Sequence, residues 1–332
     1  MLSGGRADQE RGLPRIETMR LYFCSDIHAS EACWRKFLAC GAFYKADVLI
    51  VGGDITGKFV VPIVRHAKGP ATAMFLGLER RVETADEIAR LMRQIADAGQ
   101  YGALMSEEEV EAHARDPALL DRLFRRLIVG RVAEWIELAE TRLRGTGIRC
   151  LVSGANDDFF EIDEALAGSD VVEDPNGRVV DLGGVEIVGM GYGNPTPWPC
   201  PRDVSEEELA QRIAAALAGV QRMDRAIFSF HVPPFRSGLD EAPKLDENLR
   251  MVMTGAGPEI IPVGSTAVRE AIERHQPMLG LHGHIHESKG IRTIGTTTIV
   301  NPGSEYGEGI LDGALVDLDP RKGLTKVQLV SG

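Results

Sequence analysis

The chain has 332 residues, a formal net charge of −12, 37 glycines and five cysteines. That length suits one large domain or one with a sizeable insertion. The acidic balance argues against an extended basic track for nucleic acid, which needs several phosphate-neutralising Lys and Arg side chains. Cys24, Cys33, Cys40, Cys150 and Cys200 form no CxxC pair and no secreted-scaffold spacing, which points to reduced thiols. Residues 1–19 lack the apolar centre of a leader, and no stretch approaches the length of a membrane span. The expectation is a cytoplasmic protein with no membrane partner, a flexible tail over 1–19 and a domain over 20–332.

The apolar runs "RLYFC" (Arg20 to Cys24) and "DVLIVG" (Asp47 to Gly52) predict strands that lead into "SDIHAS" and "GDITG". Between them, "SEACWRKFLACGAFY" predicts a helix capped by Ser30, with Trp34, Phe37 and Leu38 on one face and Gly41 as its stop. Over 58–145 the pattern changes. "FVVPIV" and "TAMFLG" flank "RHAKGPA" and predict a hairpin turning at Lys68-Gly69-Pro70. Ile88, Leu91, Met92 and Ile95 form a helical stripe, Ser106 and Glu109 a capping box, and Leu119 to Leu143 a long amphipathic run. This reads as an inserted hairpin and helical subdomain, serving as a lid, as a homo-oligomer surface or as plain scaffold.

Strand-like runs return in "IRCLVSGANDD", "GRVVDLGGVEIVGMGYG", "RAIFSFHVPP", "MLGLHGHIH", "TIGTTTIVNPGS" and "DGALVDLD". Helices are expected after Ser205, with Glu208 as its box partner, and after Ser265, closing before Pro277. Residues 194–203 and 235–264 read as irregular.

Five of the apolar strands deliver polar groups at their ends, the edge where α/β folds collect ligands. Asp26 and His28 follow the first, Asp54 the second, Asn156 the third, His231 the fourth, and His284 and His286 the fifth. This oxygen and imidazole set, free of thiolates, suits Mn, Fe, Co, Ni or Zn rather than a cysteine-rich structural zinc site. It holds too many ligands for one ion, whereas two ions sharing a bridging carboxylate would use them all.

The signatures "DIH" (Asp26 to His28), "GGD" (Gly52 to Asp54), "GAND" (Gly154 to Asp157), "HVPP" (His231 to Pro234) and "GHIH" (Gly283 to His286), with "NPGS" (Asn301 to Ser304), resemble the calcineurin-like metallophosphoesterase superfamily. The resemblance implies an α/β (α+β type) fold, a four-layer αββα sandwich of two mixed β-sheets, here carrying the insertion. It implies two divalent cations, with Mn or Fe favoured. Asp26, His28 and His286 would hold one, Asn156, His231 and His284 the other, and Asp54 would bridge them. It further implies phosphoester hydrolysis, by a phosphodiesterase or phosphatase acting on small phosphorylated molecules, through in-line attack of a metal-activated hydroxide. A nuclease and a non-catalytic metal-binding scaffold are the alternatives.

One departure stands out. The family's third motif is usually "GNH", and here Asp157 occupies the histidine position, where a carboxylate repels phosphate and does not donate a proton at neutral pH unless its pKa is raised. Asp157 and His282, the nearest spare imidazole, are therefore the candidate catalytic residues. Asn156 and Arg236 are the candidate substrate contacts.

Overall fold

A computed structural model describes residues 18–319 and 321–332; the expected tail, through residue 17, lies outside the described residues. Strands β1 (Met19–Cys24) and β2 (Val48–Val51) pair in parallel, Leu21 beside Val48 and Cys24 beside Val51, with helix α1 (Glu31–Tyr44) crossing between them. β2 is buried at every position, as a parallel strand covered on both faces must be. Ser30 caps α1 by accepting the Cys33 N–H, but Gly41 does not stop the helix. The helix runs on to Tyr44 and closes at Lys45, whose φ is 56°. Gly41 serves close packing instead: a Cβ there would lie 2.7 Å from Ile148 Cδ1.

The inserted region holds β3 (Val60–Arg65), β4 (Ala71–Phe75), β5 (Leu78–Val82), α2 (Ala85–Asp97), β6 (Tyr101–Ser106), α3 (Glu107–Arg115) and α4 (Pro117–Leu143). The expected hairpin is β3–β4, but it belongs to a four-stranded sheet, β5-β4-β3-β6, with β6 parallel to β3. The sequence pattern hid the two outer strands: β5 is mostly polar and exposed, and β6 carries Gly102 where the turn of α2 packs closest. Leu91 and Ile95 of α2 cover Val61, Ile63, Ala73 and Phe75. The region is tied to α1 rather than standing apart. Trp34 and Trp135 stack at 4.8 Å, Trp135 Nε1 donates to Glu31 Oε1 (2.7 Å), and Ser30 Oγ donates to the Asp97 carbonyl (2.7 Å).

The chain continues through β7 (Arg149–Val152), α5 (Glu161–Ala167), β8 (Val172–Glu173), β9 (Val179–Asp181), β10 (Glu186–Met190), α6 (Glu206–Leu217) and β11 (Ala226–Phe230). Short strands β12 (Glu241–Pro243), β13 (Met253–Thr254), β14 (Gly257–Pro258) and β15 (Ile260–Pro262) pair within the stretch that reads as irregular. Then follow α7 (Thr266–His275), β16 (Leu279–Leu281), β17 (Gly290–Ile294), β18 (Thr297–Asn301), β19 (Asp312–Asp319) and β20 (Gly323–Ser331). Ser205 accepts the Glu208 N–H as expected, but Glu208 pairs with Arg212 rather than closing a box, and Glu206 reaches across to the first turn of α7.

Two six-stranded mixed sheets result, β20-β19-β1-β2-β7-β8 and β17-β18-β16-β11-β10-β9. Leu21, Phe23, Ile50 and Leu151 of the first meet Ile187, Ile227, Leu279 and Val300 of the second in one buried cluster. Outside, α1, α4 and α5 cover the first sheet, and α6 and α7 the second, giving the four-layer αββα sandwich. No helix among the described residues is long and apolar enough to cross a membrane.

Candidate metal centre

The seven expected ligands all follow the C-terminal ends of parallel strands: Asp26 and His28 after β1, Asp54 after β2, Asn156 after β7, His231 after β11, and His284 and His286 after β16. Turning the chain there takes strained backbone. Asp26, His28, Asp54 and His284 have φ of 56°, 36°, 49° and 67°, a region that residues other than glycine seldom adopt. Hydrogen bonds between loops hold it in place. Asp26 N donates to the Gly53 carbonyl (3.0 Å) and His28 N to the Asp54 carbonyl (3.0 Å), so the first two loops run on beyond the sheet as a pair.

Asp158 fastens the third loop to the second. Its buried carboxylate accepts from Ile55 N (3.1 Å), Thr56 N (2.8 Å), Thr56 Oγ1 (2.6 Å) and Ala155 N (2.7 Å). Burial, reinforced by the nearby Asp54 carboxylate, pushes this acid up to about 6. Arg202, itself buried, donates to the carbonyls of Asp158 and Phe159 and to Asp163.

Two triads face each other across this loop cluster, Asp26 with His28 and His286, and Asp54 with His231 and His284; within each, the ligand atoms lie within 4.8 Å of one another. Asp54 sits between them. Its Oδ1 accepts the Asp157 N–H (3.1 Å), which leaves Oδ2 at 3.3 Å from His231 Nε2 and 3.9 Å from His28 Nε2. Asp26 Oδ1 lies 3.4 Å from His286 Nε2.

The surrounding bonds set which atoms are left for a cation. His28 Nδ1 lies 3.1 Å from the Thr56 carbonyl and His231 Nδ1 3.2 Å from the Gly52 carbonyl, so in each ring Nδ1 donates to the backbone and Nε2 is the atom turned to the carboxylates. Asn156 Nδ2 donates to Asp203 (3.2 Å), which turns Oδ1 inward. Asn156 Oδ1 is buried and without a hydrogen-bond partner, while His231 Nε2 meets carboxylates, Asp54 Oδ2 at 3.3 Å and Asp26 Oδ1 at 3.8 Å. A buried orphan acceptor is costly, and one in the loop that Asp157 N ties to Asp54 fits a site for a cation.

The charges agree. Burial alone would raise the Asp26 and Asp54 carboxyls, yet His231 and the other imidazoles hold both well below the usual carboxylate range. Burial would lower His231, but Asp54 and Asp26 outweigh it and raise the ring to about 9. Burial and the neighbouring His231 push His284 down to about 4.

Glycine at 283 is a steric requirement. A Cβ there would stand 2.2 Å from both Asp26 Oδ2 and Ser25 Oγ. Gly283→Ala is therefore expected to displace Asp26 and lower bound metal by at least one ion per chain. Elemental analysis, with circular dichroism as the control for folding, tests this; a fully loaded variant would count against the packing.

The remaining candidates divide. Asp157 reaches the cluster, its carboxylate grouping with His28 and Asp54. His282 does not. It is fully buried, its Nδ1 lies 2.7 Å from the Phe230 carbonyl, and its Nε2 packs over Gly280 with no hydrogen-bond partner. Burial holds it down at about 4, so it is a neutral core imidazole rather than a proton donor to the cleft. Arg236 is exposed and lies over its neighbour Phe235 at 5.2 Å, not against the cluster. Two residues not singled out by the sequence reading join the site. The Tyr306 ring stands 4.7 Å from that of His28, and Lys58 forms an ion pair with Asp157. Lys58 had a signal, as it stands four residues beyond Asp54 in the same loop; Tyr306 follows a strand that supplies no ligand.

No family model matches the chain. Over 127 residues it is 29% identical to an uncharacterized protein of Methanocaldococcus jannaschii, MJ1162, a match covering 38% of this chain and 51% of that protein. The chain thus spans about half the length of the curated relative it matches. Among solved structures it resembles TT1561 of Thermus thermophilus, with a TM-score of 0.52 at 14% identity over 95% of this chain and 99% of that one. A second structure matches with a TM-score of 0.52 at 15% identity, again over 95% and 99% of the two chains. At such identities the likeness is one of fold.

Proposed function

We propose that the chain is a dinuclear metal-dependent phosphoester hydrolase of the calcineurin-like kind, acting on small phosphorylated molecules. The observation that carries this reading is the meeting of two Asp/His triads around Asp54, with the Asn156 Oδ1 acceptor left buried and unpaired. Asp26, His28 and His286 would hold one divalent cation, Asn156, His231 and His284 the other, and Asp54 would serve both. The oxygen and imidazole donors suit Mn or Fe. When bound, two such cations supply Lewis acidity and activate water at neutral pH.

The protein's part is to hold its ligands ready. Asp203 fixes the Asn156 amide, and the carbonyls of Gly52 and Thr56 fix the rings of His231 and His28. In this reading residues 20–332 are one catalytic domain, and the inserted 58–145 region braces the His28 loop, Arg131 donating to the Ala29 carbonyl and the Asp97 carbonyl accepting from Ser30. A net charge of −12 favours small substrates over long nucleic acid.

Elemental analysis paired with hydrolysis of aryl phosphomonoesters and phosphodiesters tests the proposal. The expected result is two bound metals and turnover that depends on them. Single turnover in heavy-oxygen water should label the product phosphate directly from solvent, since among the described residues no Ser, Cys or Asp apart from the candidate ligands has a nucleophile's constellation. A fully loaded protein inert toward both ester classes with every metal tried would leave the scaffold reading.

A further inference from the structure

We infer that Lys58 supplies the cation that meets the substrate's phosphoryl oxygens, with Asp157 as the positioning residue that holds it on the solvent side of the two triads. This rests on the hydrolase reading above. It also answers the problem raised by the third motif, where an aspartate stands in place of a histidine and would by itself repel a phosphate.

The two residues belong to two loops joined by one carboxylate. Lys58 lies near the end of the loop between β2 and β3, four residues after Asp54, and Asp157 lies in the loop after β7. Asp158 accepts N–H groups from Ile55 and Thr56 of the first loop and from Ala155 of the second, so folding itself sets the pair face to face. On the other side, Gly57 N donates to the Tyr101 hydroxyl (3.0 Å), and a Cβ on Gly57 would fall 2.4 Å from the Gly99 carbonyl oxygen. The backbone that presents Lys58 is therefore pinned at each residue before it, and little ordering is left for substrate binding to do.

Position and charge complete the case. The Lys58 ammonium contacts Asp157, whose carboxylate lies within 4.8 Å of the ligand atoms of His28 and Asp54. The Lys58 side chain is 44% exposed whereas Asp26, His28, Asp54 and His231 are buried, so the ammonium stands on the solvent side of the cluster. Among the described residues, the ion pairs of Asp26, Asp54 and Asp157 include one cationic side chain other than histidine, that of Lys58. An ammonium has three donors, so Asp157 can hold it while others turn to a phosphoryl oxygen. Asp157 also fixes its own far side through the Cys200 thiol, which donates to Oδ1 (3.1 Å).

The experiment is calorimetric titration of metal-loaded protein with inorganic phosphate, with metal content measured on every sample. Lys58→Gln is expected to keep both metals and bind phosphate about 10–100-fold more weakly, the range of a charge-assisted hydrogen bond. Lys58→Arg should recover most of that loss. Lys58→Gln should cost less phosphate affinity in the Asp157→Asn background than in the wild type, because the ammonium there is no longer held; an equal cost in both backgrounds would show that Asp157 does not position it. Unchanged phosphate affinity in loaded Lys58→Gln overturns the assignment while leaving the hydrolase reading intact. Should Lys58→Gln lose metal because Asp157 is left unpaired, Lys58→Gln/Asp157→Asn is compared with Asp157→Asn; equal affinities overturn it as well. Failure of the wild type to take up metal would instead bring down the hydrolase reading.

Discussion

Asp54→Asn is expected to empty both metal positions, whereas His28→Ala should weaken chiefly the one shared with Asp26 and His286. The amide keeps the shape of the side chain and can still accept the Asp157 N–H through Oδ1. It removes the charge on the oxygen that points between His231 and His28. At a separation of ~4 Å and an effective dielectric constant of ~20, two unit charges interact by about 4 kcal/mol, and a divalent cation doubles that before the cost of desolvation. Even the unit-charge figure is roughly a thousandfold in affinity for each cation. His28, by contrast, is a neutral ligand to one position, and its removal leaves the Asp54, His231 and His284 group complete. Elemental analysis of both variants after dialysis distinguishes them. Full double occupancy in Asp54→Asn would show that Asp54 does not join the two positions.

The candidate ligands stood out because they combine two simple patterns, an apolar strand and a polar group just past its end. Each of Asp26, His28, Asp54, Asn156, His231, His284 and His286 stands at such a junction; the structure groups six of them and places Asn156 in the loop that Asp157 N ties to Asp54. The layers were legible for the same reason, since β2, β7 and β11 are short apolar runs buried on both faces. What failed to show was whatever depends on packing between distant segments. Gly41 reads as a helix stop, yet its role is to admit Ile148, more than a hundred residues away. β5 and β6 lack a strand's pattern because one is exposed and the other has a glycine beneath α2. His282 shares the alternate spacing of His284 and His286, but β16 ends at Leu281, and the chain then turns the three rings in different directions. Lys58 stayed hidden because its meaning lies in Asp157, which only the Asp158 bonds bring beside it.

An aspartate at position 157 should make hydrolysis steeply dependent on the leaving group. With no imidazole at this place to donate a proton, aryl esters that leave as stable phenolates should react well and alkyl esters poorly. General-acid help is commonly worth about 10²–10⁴-fold, and its absence falls hardest on alkoxides of high pKa. Lys58 does not change this expectation. As a contact to phosphoryl oxygens it aids all esters alike, shifting the height of a plot of log kcat/KM against leaving-group pKa but not its slope. Asp157→His should flatten the slope by raising the poor leaving groups most, provided both metals remain. The variant also releases Lys58 from its partner, which again moves the height and not the slope. His282→Ala is expected to leave the slope as it was, because that ring is held to the Phe230 carbonyl and is shut off from solvent. The measurement is a series of aryl and alkyl esters spanning several pKa units, with metal content checked for each variant. A flat plot for the wild type under chemistry-limited conditions, unchanged in Asp157→His, would mean that another group already delivers the proton. A slope that steepens in His282→Ala would assign that delivery to His282, against the position of its ring in the core.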